Sequence, residues 1–191
     1  MTRKLSDLTL EELWVLFPVV INDHNPSYAQ WYKDERDALK KVLSSKMIGR
    51  VSHIGSTAVA NLKSKPTVDI LLELSEGSII DEVEKLLCQD SWINMSKQKN
   101  PYVSYSYNKG YTPNGYDERV FHLHVRYEND WDELYFCEYL KNHEHIAKDY
   151  AVLKSELALE FKNNRDAYTD AKSEFIKKHT NIARCLYKGK F

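Results

Sequence analysis

The sequence has few of the residues that mark secreted or fibrous proteins. It contains only three cysteines in 191 residues, Cys88, Cys137 and Cys185, and no two of them form a Cys-x-x-Cys pair. An odd number of widely separated cysteines favours free thiols in a reducing compartment over a disulfide framework. Six glycines and five prolines are too few for a collagen-like or linker-like chain.

Long apolar runs are also absent. The longest, residues 13–21, has nine residues and contains Pro18, whereas a bilayer-spanning helix needs about 20 apolar residues. The first 14 residues lack the apolar core and small-residue cleavage site of a signal peptide. We therefore expect a soluble, cytoplasmic protein that has no membrane partner.

Neither sign of charge is in excess. The chain has 27 basic and 28 acidic residues and a net charge of −1. Such a chain has no overall field to hold a polyanion, so nucleic acid is not an expected partner. A local basic pocket for a phosphate group remains compatible with this balance. The oligomeric state cannot be read from the composition.

Hydrophobic periodicity predicts a single α+β domain over residues 1–191. Apolar runs and alternation predict strands at 47–54, 67–74, 92–95, 102–107 and 119–127. Helical spacing predicts helices at 6–14, 27–43, 78–89, 131–141, 146–161 and about 175–186. The expected fold is a mostly antiparallel or mixed sheet backed by helices (about 16–130), followed by a C-terminal helical bundle (about 131–188).

Two local details accompany this prediction. The stretch 108–118, with two glycines and a proline, is predicted to be a long hairpin loop. Asp130 and Glu133 have the spacing of a capping box for the helix that follows.

The segment 53–74 contains the most informative polar residues. Gly55-Ser56 closes one strand and opens a tight turn, where backbone amides and hydroxyls can hold a phosphate. Asp69 follows inside an otherwise apolar stretch of strand, where an isolated carboxylate is costly to bury. Lys65 lies between them and could meet phosphate oxygens. The alternative is an ordinary turn with an aspartate satisfied by backbone amides.

A second group lies on the strand 119–127. His122 and His124 share one strand face, roughly 6.5 Å apart, and Arg119 and Arg126 accompany them. The two imidazoles could reach one metal ion, or one could bind metal while the other meets a phosphate. His53, just before the Gly-Ser turn, adds to this group. The alternative is a half-exposed strand whose polar face carries histidines.

Three of these motifs together resemble the GrpB family of small bacterial proteins: HIGSTAV (53–59), KPTVDI (65–70) and RVFHLHV (119–125). The resemblance extends over about 16–185. Members of this family are grouped by fold with the nucleotidyltransferase superfamily typified by DNA polymerase beta, which implies a nucleotidyltransferase-like fold here.

The superfamily pattern is Gly-Ser, then Asp-x-Asp or Asp-x-Glu, then a third carboxylate on a later strand. Gly55, Ser56 and Asp69 match it, but the second carboxylate position is Leu71. Glu73 shares the strand face but lies roughly 13 Å from Asp69 by strand rise, too far to share an ion. The later strand carries His122 and His124 instead of a carboxylate.

The resemblance implies a protein that binds a nucleotide or other phosphorylated small molecule and, if it is an enzyme, a metal-dependent nucleotidyl or phosphoryl transfer. Asp69, His122 and His124 would hold a divalent metal (Mn²⁺, Mg²⁺ or Zn²⁺) and perform the catalysis. The expected phosphate-binding residues are His53, Gly55, Ser56, Thr57, Lys65 and Arg119. Leu71 favours a rival, a non-catalytic module that kept the phosphate pocket. A third hypothesis is an interaction protein that docks through its C-terminal helices.

Overall fold

A computed structural model describes residues 4–191, and its centre is a five-stranded mixed sheet. The strands are β1 (Ile48–Ile54), β2 (Val68–Leu74), β3 (Ile93–Gln98), β4 (Ser104–Thr112) and β5 (Gly115–Tyr127). Their spatial order is β1-β2-β5-β4-β3. Only the β2–β5 pair is parallel; the other three pairs are antiparallel. The apolar strand β2 thus has a neighbour on each side.

Seven α-helices occur within residues 4–191. They are α1 (Leu10–Leu16), α2 (Tyr28–Val42), α3 (Ile80–Gln89), α4 (Asp132–Asn142), α5 (Glu144–Glu160), α6 (Arg165–Asp170) and α7 (Ser173–Leu186). Short 3₁₀ turns occupy Leu5–Asp7 and Ser56–Ala58. The predicted α+β class, a mixed sheet backed by helices with further helices after the sheet, is confirmed.

The two faces of the sheet have different roles. On one face, Ile70, Leu72 and Leu123 are fully buried in the main core, which α2 and α3 cover through residues such as Leu39 and Leu87. Because side chains alternate along a strand, the intervening residues of β2 and β5 point to the opposite face. That second face lies on the side of α4 to α7 and carries Asp69, His122 and His124.

The long hairpin loop expected at 108–118 is wrong. These residues extend β4 and β5, and only Pro113 and Asn114 form the turn. Gly110, at φ +87°, makes a bulge in the pairing, and a Cβ there would lie 2.2 Å from the carbonyl oxygen of Arg119. The bulge turns Tyr111 onto the polar face, because one extra residue reverses the alternation. Glycine and proline here mark a bulge and a two-residue turn.

Two helix starts also differ from expectation. The capping box at Asp130 is wrong: Trp131 is the N-cap and makes no side-chain cap hydrogen bond. Asp130 instead accepts from Arg184 at 2.6 Å, a partner that the local sequence does not show. The first helix begins at Leu10, because Thr9 and Glu12 form its capping box.

The three cysteines are free, and Cys137 is buried among the C-terminal helices. No helix within residues 4–191 is long and apolar enough to cross a membrane.

Candidate phosphate-binding site

The turn after β1 brings backbone close to a carboxylate. Gly55 adopts φ +69°, and a Cβ at this position would lie 2.4 Å from Oδ2 of Asp69. Only glycine combines this backbone conformation with so close an approach. Ser56 then opens a single 3₁₀ turn beside the end of β2. The Gly-Ser turn and Asp69 therefore belong to one site.

A chain of hydrogen bonds leads from Asp69 to an arginine. His122 pairs with Asp69 across β2 and β5, and its Nδ1 lies 3.1 Å from Oδ1 of Asp69. Arg165 donates to Nε2 of His122 at 2.8 Å, and the hydroxyl of Tyr111 lies 2.7 Å from the same nitrogen. Since a guanidinium group cannot accept, Nε2 must be unprotonated. The proton of the neutral imidazole is then on Nδ1 and is donated to Asp69.

The C-terminal helices contribute further positive groups. Lys154, buried on α5, donates to Oγ of Ser56 at 2.8 Å and to the carbonyl oxygen of Lys63 at 2.5 Å. Lys172, just before α7, is also buried, and its Nζ lies 4.1 Å from the ring centre of Tyr168. These helices thus close over the Gly-Ser turn with cations.

These groups surround a cavity of about 520 Å³. Its polar lining includes Ser56, Asp69, His122 and four cations, Lys65, Lys154, Arg165 and Lys172. Two other acids on its wall are already paired, Glu133 with Arg126 and Asp132 with Arg184. Four basic side chains face Asp69, the one carboxylate among the described wall residues that pairs with no lysine or arginine, and this excess of basic groups suits an anion.

Burial and crowding shift the pKa values of the cavity lysines. Burial, together with neighbouring cations, lowers the pKa of Lys65 and of Lys154 to about 7 and that of Lys172 to about 8, although Asp69 opposes the shift in each case. An incoming anion would restore protons to these amines, because opposite charge favours the charged form.

The pKa values of Asp69 and His122 are both lowered. Burial would raise the pKa of Asp69, but the hydrogen bond from His122 and the nearby positive charges outweigh it and bring the pKa to about 2. Burial lowers the pKa of His122 to about 4 despite the attraction of Asp69. At neutral pH the pair is a carboxylate beside a neutral imidazole.

Most of the predicted site residues line this cavity. They are Gly55, Ser56, Lys65, Asp69, His122 and His124. His53 and Thr57 do not: their side chains bond to each other at 3.0 Å, and His53 stacks on Tyr32. Arg119 also lies away from the cavity, where it pairs with Asp34 at 3.0 Å.

Sequence reasoning missed Lys154, Arg165 and Lys172. Lys154 had a readable signal, since it lies four residues after Tyr150 on the buried face of α5, where a lysine is unexpected. Arg165 follows Asn164, which caps α6, but a cap does not show what the next residue meets. Lys172 gave no local signal.

The predicted metal site at Asp69, His122 and His124 stays a prediction. Within residues 4–191 no group of three or more His, Cys, Asp or Glu side chains converges in a way that could hold an ion. Nε2 of His122 accepts from Arg165, so its lone pair is already used. Arg165 and the charged forms of the three neighbouring lysines would also repel a metal ion. The arrangement fits an anion better than a metal alone.

Packing explains why neither Leu71 nor Glu73 supplies a second carboxylate to the cavity. Leu71 is fully buried in an apolar cluster with Ile54 and Leu134. Glu73 is fully buried and is held by Arg50 through contacts of 2.5 and 2.9 Å. Neither residue lines the cavity, so Asp69 is its only carboxylate from β2.

Comparison with known proteins assigns the chain to a family. The model of the GrpB protein family matches residues 18–181. This match covers most of the chain, including the Gly-Ser turn, β5 and the C-terminal helices. The chain belongs to the GrpB family, as the motifs in the sequence indicated.

Individual relatives agree. The chain is 28% identical over 195 aligned residues to the UPF0157 protein YqkA of Bacillus subtilis, covering 99% of this chain and 55% of that protein. It is 33% identical over 157 residues to the UPF0157 protein PA4798 of Pseudomonas aeruginosa, covering 80% and 62%. The chain therefore spans just over half the length of these two relatives.

A solved structure supports the fold. The crystal structure of the conserved protein GrpB from Enterococcus faecalis superposes with a TM-score of 0.74 at 27% sequence identity. The superposition covers 88% of this chain and 99% of that one.

Proposed function

We propose that this protein binds a phosphorylated small molecule, such as a nucleotide, in the cavity between the Gly-Ser turn and the C-terminal helices. The observation that carries the proposal is the convergence of Lys65, Lys154, Arg165 and Lys172 on one cavity. Among the described residues, Asp69 is the one carboxylate on the cavity wall that pairs with no lysine or arginine, so a phosphate would complement the basic groups and favour their charged forms. Charge-assisted hydrogen bonds to phosphate are among the strongest polar contacts in proteins.

In this proposal each residue has a separate part. Ser56 and the amides of its turn bind phosphate oxygens, the lysines neutralise charge, and Arg165 binds in the two-pronged geometry that suits phosphate. His122 does not contact the phosphate through Nε2 while that atom accepts from Arg165. It holds Asp69 and Arg165 in position.

Arginine substitutions test the proposal. Arg165→Ala should weaken binding of inorganic pyrophosphate or ATP by about tenfold to a hundredfold, because a hydrogen bond to a charged group contributes about 1.5–3 kcal/mol. Arg119→Ala is the matched control, since Arg119 pairs with Asp34 outside the cavity. Calorimetric titration of both variants and wild type measures the difference. Equal affinity in all three, or no binding by wild type, would exclude the proposed site.

Nucleotidyl or phosphoryl transfer is a second candidate, favoured by the contact between Asp69 and the Gly-Ser turn. Burial of Leu71 in place of a second carboxylate favours the non-catalytic module instead. Incubation of the protein with each nucleoside triphosphate and with Mg²⁺, Mn²⁺ or Zn²⁺ distinguishes them. Metal-dependent release of pyrophosphate supports transfer, whereas saturable binding without turnover supports the module.

A further inference from the structure

A second cavity of about 590 Å³ lies on the same face of the sheet, beside the first. The two cavities share His122, His124 and Arg165 in their linings. These three side chains therefore form the boundary between the two cavities, and a ligand that occupies both lies beside them.

The strand register gives the distance between Asp69, which lines the first cavity, and Ile93, which lines the second. Asp69 pairs with His122, His122 with Asn108, and Asn108 with Ile93, in a row across β2, β5, β4 and β3. Three strand spacings separate the ends of this row, which is about 14 Å. A diphosphate bearing a ten-carbon chain is long enough to span it.

The second cavity is chemically unlike the first. Two of its walls, α1 with its C-cap and β3, are formed by apolar side chains, and the rest of the lining is polar and includes Asn108, Tyr111 and Asp166. The apolar side chains are Leu10, Leu13, Trp14, Phe17, Ile93 and Met95. Of these, Leu10, Ile93 and Met95 remain exposed on 44–56% of their surface, although large apolar groups usually avoid water when they cluster. A serine on the floor, Ser106, already bonds to Ser96 at 2.6 Å.

We propose that the second cavity binds an apolar, hydrocarbon-like group of the same phosphorylated ligand. This inference rests on the proposed function, and it adds the substrate class: a phosphate or diphosphate ester whose other end is apolar. Charge selects the phosphate end at Lys154 and Arg165, and the α1–β3 walls bury the apolar end. The occupant is part of that ligand because the cavities share three lining residues.

The test compares free diphosphate with two diphosphate monoesters that carry different second groups. Inorganic pyrophosphate, geranyl diphosphate and ADP are titrated into the full chain by calorimetry. Geranyl diphosphate should bind about tenfold or more tightly than pyrophosphate, because burying even two or three methylene groups has that effect. Binding of pyrophosphate tests the proposed function separately from this inference.

Two exposed wall residues supply the variants. Leu10→Ser combined with Met95→Ser should remove most of the gain for geranyl diphosphate and leave pyrophosphate affinity unchanged. Both side chains are about half exposed and α1 contains no buried residue, so the fold should persist, which thermal unfolding checks. Val152→Ser is the control, since Val152 has the exposure of Met95 (57% against 56%) and lines neither cavity.

The outcomes separate the two proposals. If pyrophosphate binds and geranyl diphosphate binds no better, the apolar assignment is overturned while the phosphate site stands. A gain for ADP alone assigns the second cavity to a nucleobase and also overturns it. If the double substitution leaves the affinity gain for geranyl diphosphate unchanged, the hydrocarbon group of the ligand binds elsewhere and the assignment is overturned. If no diphosphate binds, the proposed function fails and this inference fails with it.

Discussion

At the scale of single residues, Gly55 is the position that joins the turn to the carboxylate. Its φ of +69° is costly for any residue with a side chain. The Asp69 carboxylate against it cannot simply move aside, because His122 holds its other oxygen. The contact therefore fixes both the turn that faces the phosphate and the carboxylate that faces the cations.

Gly55→Ala should lower the free energy of unfolding more than Gly77→Ala does. Both glycines have positive φ, but Gly55 combines it with ψ −170°, a region that is essentially restricted to glycine, and a Cβ at Gly77 meets nothing within 4 Å. Gly55→Ala adds a clash with Asp69 that should cost about 1–3 kcal/mol more. Urea unfolding measures both variants. Equal losses would show that the close approach to Asp69 carries no energy.

At the scale of elements, the six-residue helix α6 positions Arg165. Asn164 begins it by accepting from the amide of Ala167 at 3.0 Å, and Arg165, the first helical residue, then reaches His122. Because α6 has only six residues, the hydrogen bond of its cap largely determines the direction in which the helix points. The α5–α6 connection thus brings Arg165 to His122, which lies 43 positions earlier in the chain.

Asn164→Ala should therefore reduce pyrophosphate affinity several-fold, in addition to the loss of about 1 kcal/mol of stability that removal of an N-cap causes. Thr9→Ala is the matched control, since Thr9 caps α1 by accepting from the amide of Glu12 and lines neither cavity. It should lose similar stability and keep its affinity. Calorimetry and urea unfolding of the two variants test this, and an unchanged affinity in Asn164→Ala would show that the cap does not position Arg165.

At the scale of the whole molecule, a chain with a net charge of −1 places four of its basic side chains around one cavity. Folding brings three lysines with lowered pKa values, Lys65, Lys154 and Lys172, into one neighbourhood. The folded protein without ligand holds these protons less tightly than the unfolded chain, whose lysines titrate near 10.4. Stability and ligand binding are therefore both linked to pH.

Between pH 7.5 and 9 the unfolded state binds more protons, so the free energy of unfolding should rise with pH, by about 1 kcal/mol per pH unit or more. Saturating pyrophosphate should reduce this rise, because it keeps the lysines protonated. Lys154→Met should also reduce it. Lys148→Met, on the exposed side of α5, should not. Urea unfolding across this pH range is the measurement, and a flat profile for the ligand-free protein would contradict it.

Much of the fold could be predicted because its signals are local. Alternation along 119–127 predicted β5, and the apolar run at 67–74 predicted β2, as the structure confirms. The prediction of a loop at 108–118 failed because glycine and proline are compatible with more than one local structure. Gly110 and Pro113 are compatible with a loop, but tertiary pairing with β5 makes them a bulge and a tight turn.

The sequence by itself determined the half of the site that is local in the chain. The Gly-Ser turn and Asp69 lie at facing ends of the neighbouring strands β1 and β2, and alternation places His122 and His124 on one face of β5. The resemblance to the GrpB family supplied the expectation that the two groups share a site. Only the tertiary structure decided which cations join them. Lys154 reaches Ser56 across 98 residues of sequence, and Arg165 rather than Arg119 meets His122. The reason is physical. The direction in which α5, α6 and α7 return over the sheet depends on burial of their apolar faces against distant parts of the chain, so the residues next to each cation in sequence do not determine where it lies.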